Sequence, residues 1–180
     1  AIMHNLAMEL HDNGHIVTGS DDAIYDPALS RLAEKGILPT EFGWHPERVT
    51  NELDLVILGM HARIDNPELL KAQEIGVKLM SFPEFMYDHA KDKKRVVIAG
   101  SHGKTTTTSM VLHLLKSAGR EVDFLVGAQL EGFGNMVKLS DAPIAVFEGD
   151  EYTASPLDLR PKFMHYKPDI SVITGIAWDH

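Results

Sequence analysis

Residues 96–108 read Val-Val-Ile-Ala-Gly-Ser-His-Gly-Lys-Thr-Thr-Thr-Thr, an apolar strand, a glycine turn, then lysine and threonine opening a helix. Such a loop turns backbone N–H groups, a helix N-terminus and an ammonium toward one small volume, which suits the phosphates of ATP or GTP. Gly100, Ser101, His102, Gly103, Lys104, Thr105 and Thr106 are the candidate phosphate contacts. Thr105, directly after Lys104, is placed to offer a hydroxyl to Mg²⁺. The general pattern G-x-x-x-x-G-K-[ST] is incomplete, because Ile98 stands at its first glycine and Gly100 is the nearest glycine upstream. A glycine turn that merely contains a lysine is the competing description. The β-branched strand before the loop and the helical run at 109–118 favour a phosphate site. Thr106, Thr107 and Thr108 also suit an ordinary first helical turn.

A second cluster, Glu148-Gly149-Asp150-Glu151-Tyr152, follows the apolar run 144–147. Carboxylates at the C-terminal end of a parallel strand sit where α/β sheets bind ligands. In phosphate-loop enzymes, a neighbouring-strand carboxylate helps to hold Mg²⁺. Glu148, the first acid after the strand, is the candidate; a solvated acidic turn is the alternative. Asp179-His180 closes a third strand end, where such a pair is commonly structural.

These residues need a scaffold, and the chain supplies an alternating one. Helices are expected to residue 13, over 27–35, 66–75 and 83–90, and from the phosphate loop to about 118. Strands are expected at 15–18, 53–58, 77–80, 95–99, 121–126, 143–147 and 169–174. Asn66-Pro67-Glu68 is a strong helix start: cap, proline at the first position, then an acid. Apolar strands alternating with amphipathic helices indicate an α/β fold with mostly parallel sheets. The charged run Lys91-Asp92-Lys93-Lys94-Arg95 reads as a solvated linker between two such units.

The 180 residues, 44% of them hydrophobic, suit one large domain or two small ones. A net charge of −9 speaks against a general nucleic-acid binder, which needs a basic face. The absence of cysteine removes thiolate chemistry and fits a reducing, cytoplasmic setting. No apolar run approaches a membrane span, and no signal peptide is visible.

The first unit lacks a G-x-G-x-x-G. Ser20 and Asp21 follow one of its strands and His61 to Asn66 another, and Asp21 is placed to bind a ribose hydroxyl. Asn66 also reads as a helix cap, and His45 as a surface histidine.

Gly100-Ser101-His102-Gly103-Lys104-Thr105-Thr106-Thr107, then Glu148-Gly149-Asp150-Glu151-Tyr152, then Asp179-His180 resemble the Mur ligase family in order and spacing. The shortened phosphate loop is that family's form. Val17-Thr18-Gly19-Ser20-Asp21 and Asp65-Asn66-Pro67-Glu68 resemble the branch that loads UDP-N-acetylmuramate with its first amino acid or peptide. Glu151-Tyr152 and the segment 159–166 favour a peptide acceptor, L-alanyl-γ-D-glutamyl-meso-diaminopimelate, over L-alanine.

The resemblance implies a Rossmann-like uridine-nucleotide unit over 1–92, without its first strand and glycine-rich loop. The start of an ATP-binding central domain would follow over 93–180. Lys104 and the loop amides would bind ATP phosphates, Thr105 and Glu148 one Mg²⁺, and His180 a second. Ser20, Asp21, His45, His61 and Asn66 would contact UDP-N-acetylmuramate. The γ-phosphate would pass to the muramyl carboxylate, and the acceptor amine would attack the acyl phosphate. The chain is therefore expected to be a segment of a longer ligase and inactive alone. A non-catalytic nucleotide-binding module is the alternative; no nucleic-acid or membrane partner is implied.

Overall fold

The structure, a computed structural model, describes residues 2–177. The first helix, α1 (Ile2–Asp12), places Leu6 and Met8 inside, with Ile2 and Leu10 packed against the core. Ile2, Leu6 and Leu10 are four residues apart and share one face. Helix α2 (Ala28–Glu34) follows an irregular stretch. The strand expected at 15–18 is not formed: Ile16 is 99% exposed, so alternation there buries nothing.

Strands β1 (Val56–Leu58) and β2 (Leu79–Ser81) pair in parallel, with Ile57 opposite Met80. They are joined through α3 (Pro67–Ile75), whose cap is Asn66: its side-chain oxygen accepts from the amides of Glu68 and Leu69 at 2.9 and 3.2 Å. Helix α4 (Phe82–Ala90) opens on a Ser81–Glu84 capping box, a start signal that the sequence expectation overlooked.

The second unit is a five-stranded sheet. Its elements are β3 (Lys94–Ala99), α5 (Lys104–Ser117), β4 (Asp123–Leu125), β5 (Val137–Lys138), β6 (Ile144–Glu148) and, after an excursion, β9 (Ile170–Ile173). The spatial order is β5-β4-β6-β3-β9, parallel except for β5 at the edge. The excursion is a hairpin of β7 (Thr153–Ser155) and β8 (Asp158–Pro161), followed by the short α6 (Lys162–His165).

Two apolar layers cover the sheet. On one face Leu6, Phe82 and Met86 meet Val97, Leu125, Phe147 and Tyr166; on the other, Leu112 meets Ile98, Phe124 and Val146. Each large buried side chain contributes about 1.5–3 kcal/mol. Helices α1 and α4 of the first unit therefore share a core with the sheet of the second.

The charged run at 91–95 is a correction. Lys94 and Arg95 are already in β3. Lys93 pairs with the fully buried Asp123, and Arg95 donates to the carbonyls of Lys91, Ala90 and Lys167 at 2.6, 3.0 and 2.9 Å. The run fastens α4 to the sheet because a desolvated carboxylate and free carbonyls there require donors. Among the described residues, no helix is long and apolar enough to cross a membrane.

Candidate functional site

The phosphate loop leaves β3 at Ala99 and enters α5 at Lys104. Two glycines make that turn possible. Gly100 has φ +125°, and a Cβ there would lie 2.6 Å from the Thr174 hydroxyl and 2.8 Å from its amide nitrogen. Gly103, the residue before α5, has φ +79°, the left-handed region that glycine enters without steric cost. The turn is backed by the end of β9: Thr174 N–H donates to Ala99 O at 2.9 Å, and its hydroxyl donates to His102 O.

Lys104 folds over the loop. Its Nζ donates to Gly100 O at 2.7 Å and forms an ion pair with Glu151 Oε2 at 2.9 Å. The Thr105 hydroxyl donates to Glu148 Oε1 at 2.8 Å, and the other oxygen of Glu148 accepts from Gly127 N–H at 2.8 Å. Parallel pairing of β3 with β6 sets Ile98 opposite Glu148, which brings this carboxylate to the mouth of the loop. Lysine, threonine and two carboxylates, expected from separate motifs, thus form one cluster at the C-terminal ends of adjacent strands.

Thr105 and Glu148 offer two hard oxygen donors in contact, a donor set that fits Mg²⁺. Asp150 accepts from Lys162 at 2.7 Å, so it has a different partner from its neighbour Glu151. Below the turn, Tyr166 is fully buried against Phe147, and its ring centroid is 5.1 Å away. Burial, then the negative charges of Asp150 and Glu148, push its phenol well above the ordinary range.

Ser101 differs from expectation. Its amide donates to Gly175 O at 3.0 Å, and its hydroxyl both donates to Ala177 O at 2.8 Å and accepts from Ala177 N–H at 2.7 Å. Here it latches the loop to the segment after β9 rather than facing outward. Thr106 lies in the first turn of α5. His180 and Asp179 lie outside the described residues.

The first-unit candidates sit on neighbouring loops. Gly43 N–H donates to Asp21 O at 2.8 Å, and His45 N–H donates to Glu68 Oε1 at 2.6 Å. His45 is not a surface residue. Its side chain is 20% exposed, Nδ1 lies 3.2 Å from Glu47, and Nε2 is buried without a hydrogen-bond partner. Asn66 is committed to its cap through Oδ1, yet with Trp44, Arg63, Asp65 and Pro67 it lines a pocket of about 210 Å³. Arg63 binds Asp65 at 2.9 Å; that hydrogen bond and charge, then the Asp22 carboxylate, hold its guanidinium above the ordinary value. Ser20 is partly buried beside Asp21, and His61 is exposed in the loop after β1.

Glu84, Asp158 and His165 bring their ligand atoms within 4.8 Å of one another. Asp158 is gripped by Arg160 at 2.5–3.1 Å and held down to a pKa of about 2. Glu84 is committed to Ser81. Arg160 and Ser81 thus engage the two carboxylates, while His165 Nε2 lies 3.3 Å from Asp158 and is buried without a hydrogen-bond partner.

Glu151 as the partner of Lys104, Gly127 as a donor to Glu148, and Lys162 beneath Asp150 were not singled out from sequence. Gly127 lies outside any motif, and Lys162 enters the sequence reading only as part of the segment 159–166; the fold brings both here.

Residues 1–94 match the sequence model described as "Mur ligase family, catalytic domain", and residues 98–180 match "Mur ligase middle domain". The chain is 34% identical, over 99% of its length, to a UDP-N-acetylmuramate--L-alanyl-gamma-D-glutamyl-meso-2,6-diaminoheptandioate ligase from Haemophilus influenzae. It is 36% identical, also over 99% of its length, to a UDP-N-acetylmuramate--L-alanine ligase from Limosilactobacillus reuteri. It spans 39% and 37% of the lengths of those two enzymes. Among solved structures, it matches a UDP-N-acetylmuramate:L-alanyl-gamma-D-glutamyl-meso-diaminopimelate ligase from Neisseria meningitides with a TM-score of 0.88 and 29% identity. That match covers 99% of this chain and 58% of the other.

Proposed function

Because the chain belongs to the Mur ligase family, we propose that it forms the nucleotide-sugar and phosphate-binding parts of an ATP-dependent amide ligase. The reaction joins L-alanyl-γ-D-glutamyl-meso-diaminopimelate to UDP-N-acetylmuramate in the cytoplasm. In this reading residues 1–92 bind the nucleotide sugar through Ser20, Asp21, His45, His61 and Asn66. Residues 93–180 begin the ATP-binding domain. The observation that carries the proposal is the joint placement of Lys104, Thr105, Glu148 and Glu151 at the ends of β3 and β6.

Lys104 neutralises the phosphate oxygens by exchanging its Glu151 and Gly100 contacts for them. The α5 N-terminus supplies amides of Gly103, Lys104 and Thr105 that have no helical acceptor. Thr105 and Glu148 would hold one Mg²⁺ and His180, outside the described residues, a second; bound there, the metal would spread the negative charge of the transferring phosphoryl group. A muramyl carboxylate oxygen attacks the γ-phosphorus and the bond to ADP breaks. The acceptor amine then attacks the acyl carbon, phosphate leaves, and the amine proton goes to solvent. The chain's contribution is positioning and charge neutralisation.

The L-alanine-adding reaction is the second reading, favoured by the 36% identity to an enzyme of that name. The intact gene product is incubated with UDP-N-acetylmuramate, ATP and Mg²⁺ plus either acceptor, and phosphate release is measured. Release with the tripeptide supports the first reading, and release only with L-alanine supports the second. Release with neither leaves a nucleotide-binding module.

A further inference from the structure

Lys162 lies between the acidic turn and the first unit, and the proposed reaction assigns it no task. It opens α6 with its side chain 11% exposed. Its Nζ donates to Asp150 Oδ2 at 2.7 Å, lies 3.0 Å from the thioether sulfur of Met60, and stands 6.0 Å from the Tyr152 ring centroid. An ammonium this far from water needs a charged partner, and Asp150 is that partner. The backbone follows the same path: Lys162 N–H donates to Tyr152 O at 2.9 Å, and Phe163 N–H to Asp150 O at 3.1 Å.

The neighbours on each side give this contact its meaning. Asp150 adjoins Glu151, the partner of Lys104, and is two residues from Glu148, the partner of Thr105. Met60 adjoins His61 in the loop after β1, which runs on to the Asn66 cap. One side chain therefore touches both the turn that faces the phosphate loop and the loop that lines the first unit's strand end.

We infer that Lys162 is a positioning residue: it neutralises Asp150 and packs on Met60, fixing the 148–151 turn against the first unit so that Lys104 and Thr105 meet their carboxylates in register. This rests on the phosphate-site reading above. Lys162 itself touches neither phosphate nor metal in this account.

Charge and stem are separable. Lys162→Met keeps the packing on Met60 and removes the ammonium, whereas Lys162→Arg keeps a cation for Asp150. In the intact gene product, Lys162→Met lowers kcat by about ten- to a hundredfold with KM for UDP-N-acetylmuramate within about twofold, the split expected of lost positioning. Lys162→Arg recovers most of kcat. Asp150→Asn alone gives the same loss, and adding Lys162→Met to it costs little more, because the two residues act as one pair.

A Lys162→Met kcat within about twofold of wild type, equal loss in Met and Arg variants, or multiplicative losses with Asp150→Asn overturns the inference. If Lys162→Met does not fold, the Asp150→Asn and Lys162→Arg arms decide it alone. A binding arm separates this from failure of the ligase reading. If the wild type releases no phosphate with either acceptor, titration of the chain with a non-hydrolysable ATP analogue and Mg²⁺ still applies. Lys162→Met weakens that binding by about tenfold, within the usual span of coupling between sites; unchanged binding overturns the inference.

Discussion

The Thr105 hydroxyl donates to Glu148 Oε1 across 2.8 Å, tying the first turn of α5 to the end of β6. The two residues are 43 positions apart, and only the parallel pairing of β3 with β6 brings them together. The same carboxylate accepts from Gly127 N–H at 2.8 Å, so three elements converge on one side chain. Two hydrogen bonds thus fix the orientation of this carboxylate, the preorganisation that the proposed metal site needs.

Replacing Glu148 with glutamine removes the charge and keeps the shape. The expected result is a folded protein whose Tm without nucleotide drops by several degrees, because weakening a charge-assisted hydrogen bond costs about 1.5–3 kcal/mol. Binding of an ATP analogue should lose its Mg²⁺ enhancement. Calorimetric titration with and without Mg²⁺ measures this; full enhancement in the variant would remove Glu148 from the metal set.

Gly100→Ala tests the turn. Its Cβ would come within 2.9 Å of three atoms of Thr174 and Gly175, at φ +125°. We expect a loss of about 1–3 kcal/mol in urea unfolding, from backbone strain alone. A loss below about 0.5 kcal/mol, the range of ordinary surface changes, would show that the loop relaxes freely.

Asn5 tests the shared core. This fully buried residue accepts from Arg31 Nη1 at 3.0 Å, donates to Met136 Sδ at 3.3 Å, and its backbone carbonyl accepts from Asn135 at 3.0 Å. Asn5→Ala takes this acceptor from the partly buried Arg31 guanidinium and this donor from Met136, and should cost about 1–3 kcal/mol. Hydrogen exchange should then rise in α1 and around Met136 together.

Acid stability should report on Asp123. Burial raises its pKa, but hydrogen bonds from His89, Lys93 and Ser140 outweigh that and leave it below the ordinary carboxylate value. A depressed folded pKa gives stability that is present above the unfolded value, about 3.9, and is lost as pH falls through the folded value. Asp123→Asn should therefore cost about 3 kcal/mol at neutral pH, as breaking a buried pair does, and progressively less below about pH 4. Urea unfolding at several pH values measures the difference; a constant gap across pH would assign the loss to packing.

Much of this was legible in the chain because the signals were local. Asn66-Pro67-Glu68 starts a helix through its own hydrogen bonds, and the order of strand, glycine turn, lysine and threonine is a local motif as well. What escaped depended on partners distant in sequence. The run at 91–95 looked solvated because the buried Asp123 that receives Lys93 is 30 residues away. The stretch at 15–18 had a strand's composition without a neighbour to pair with, since Ile16 faces solvent. The hairpin of β7 and β8 is short and polar, and the Lys162–Asp150 ion pair at its base is a contact no periodicity encodes.

In the proposed reaction, phosphate passes from ATP to a carboxylate near Lys104 before the amide forms. The direct test labels the muramyl carboxylate of UDP-N-acetylmuramate with ¹⁸O, then follows turnover by the intact gene product with ATP, Mg²⁺ and the tripeptide. The account predicts that each phosphate released carries one ¹⁸O from that carboxylate, and that Lys104→Ala abolishes release. Phosphate free of ¹⁸O, or undiminished turnover in the Lys104 variant, would contradict it.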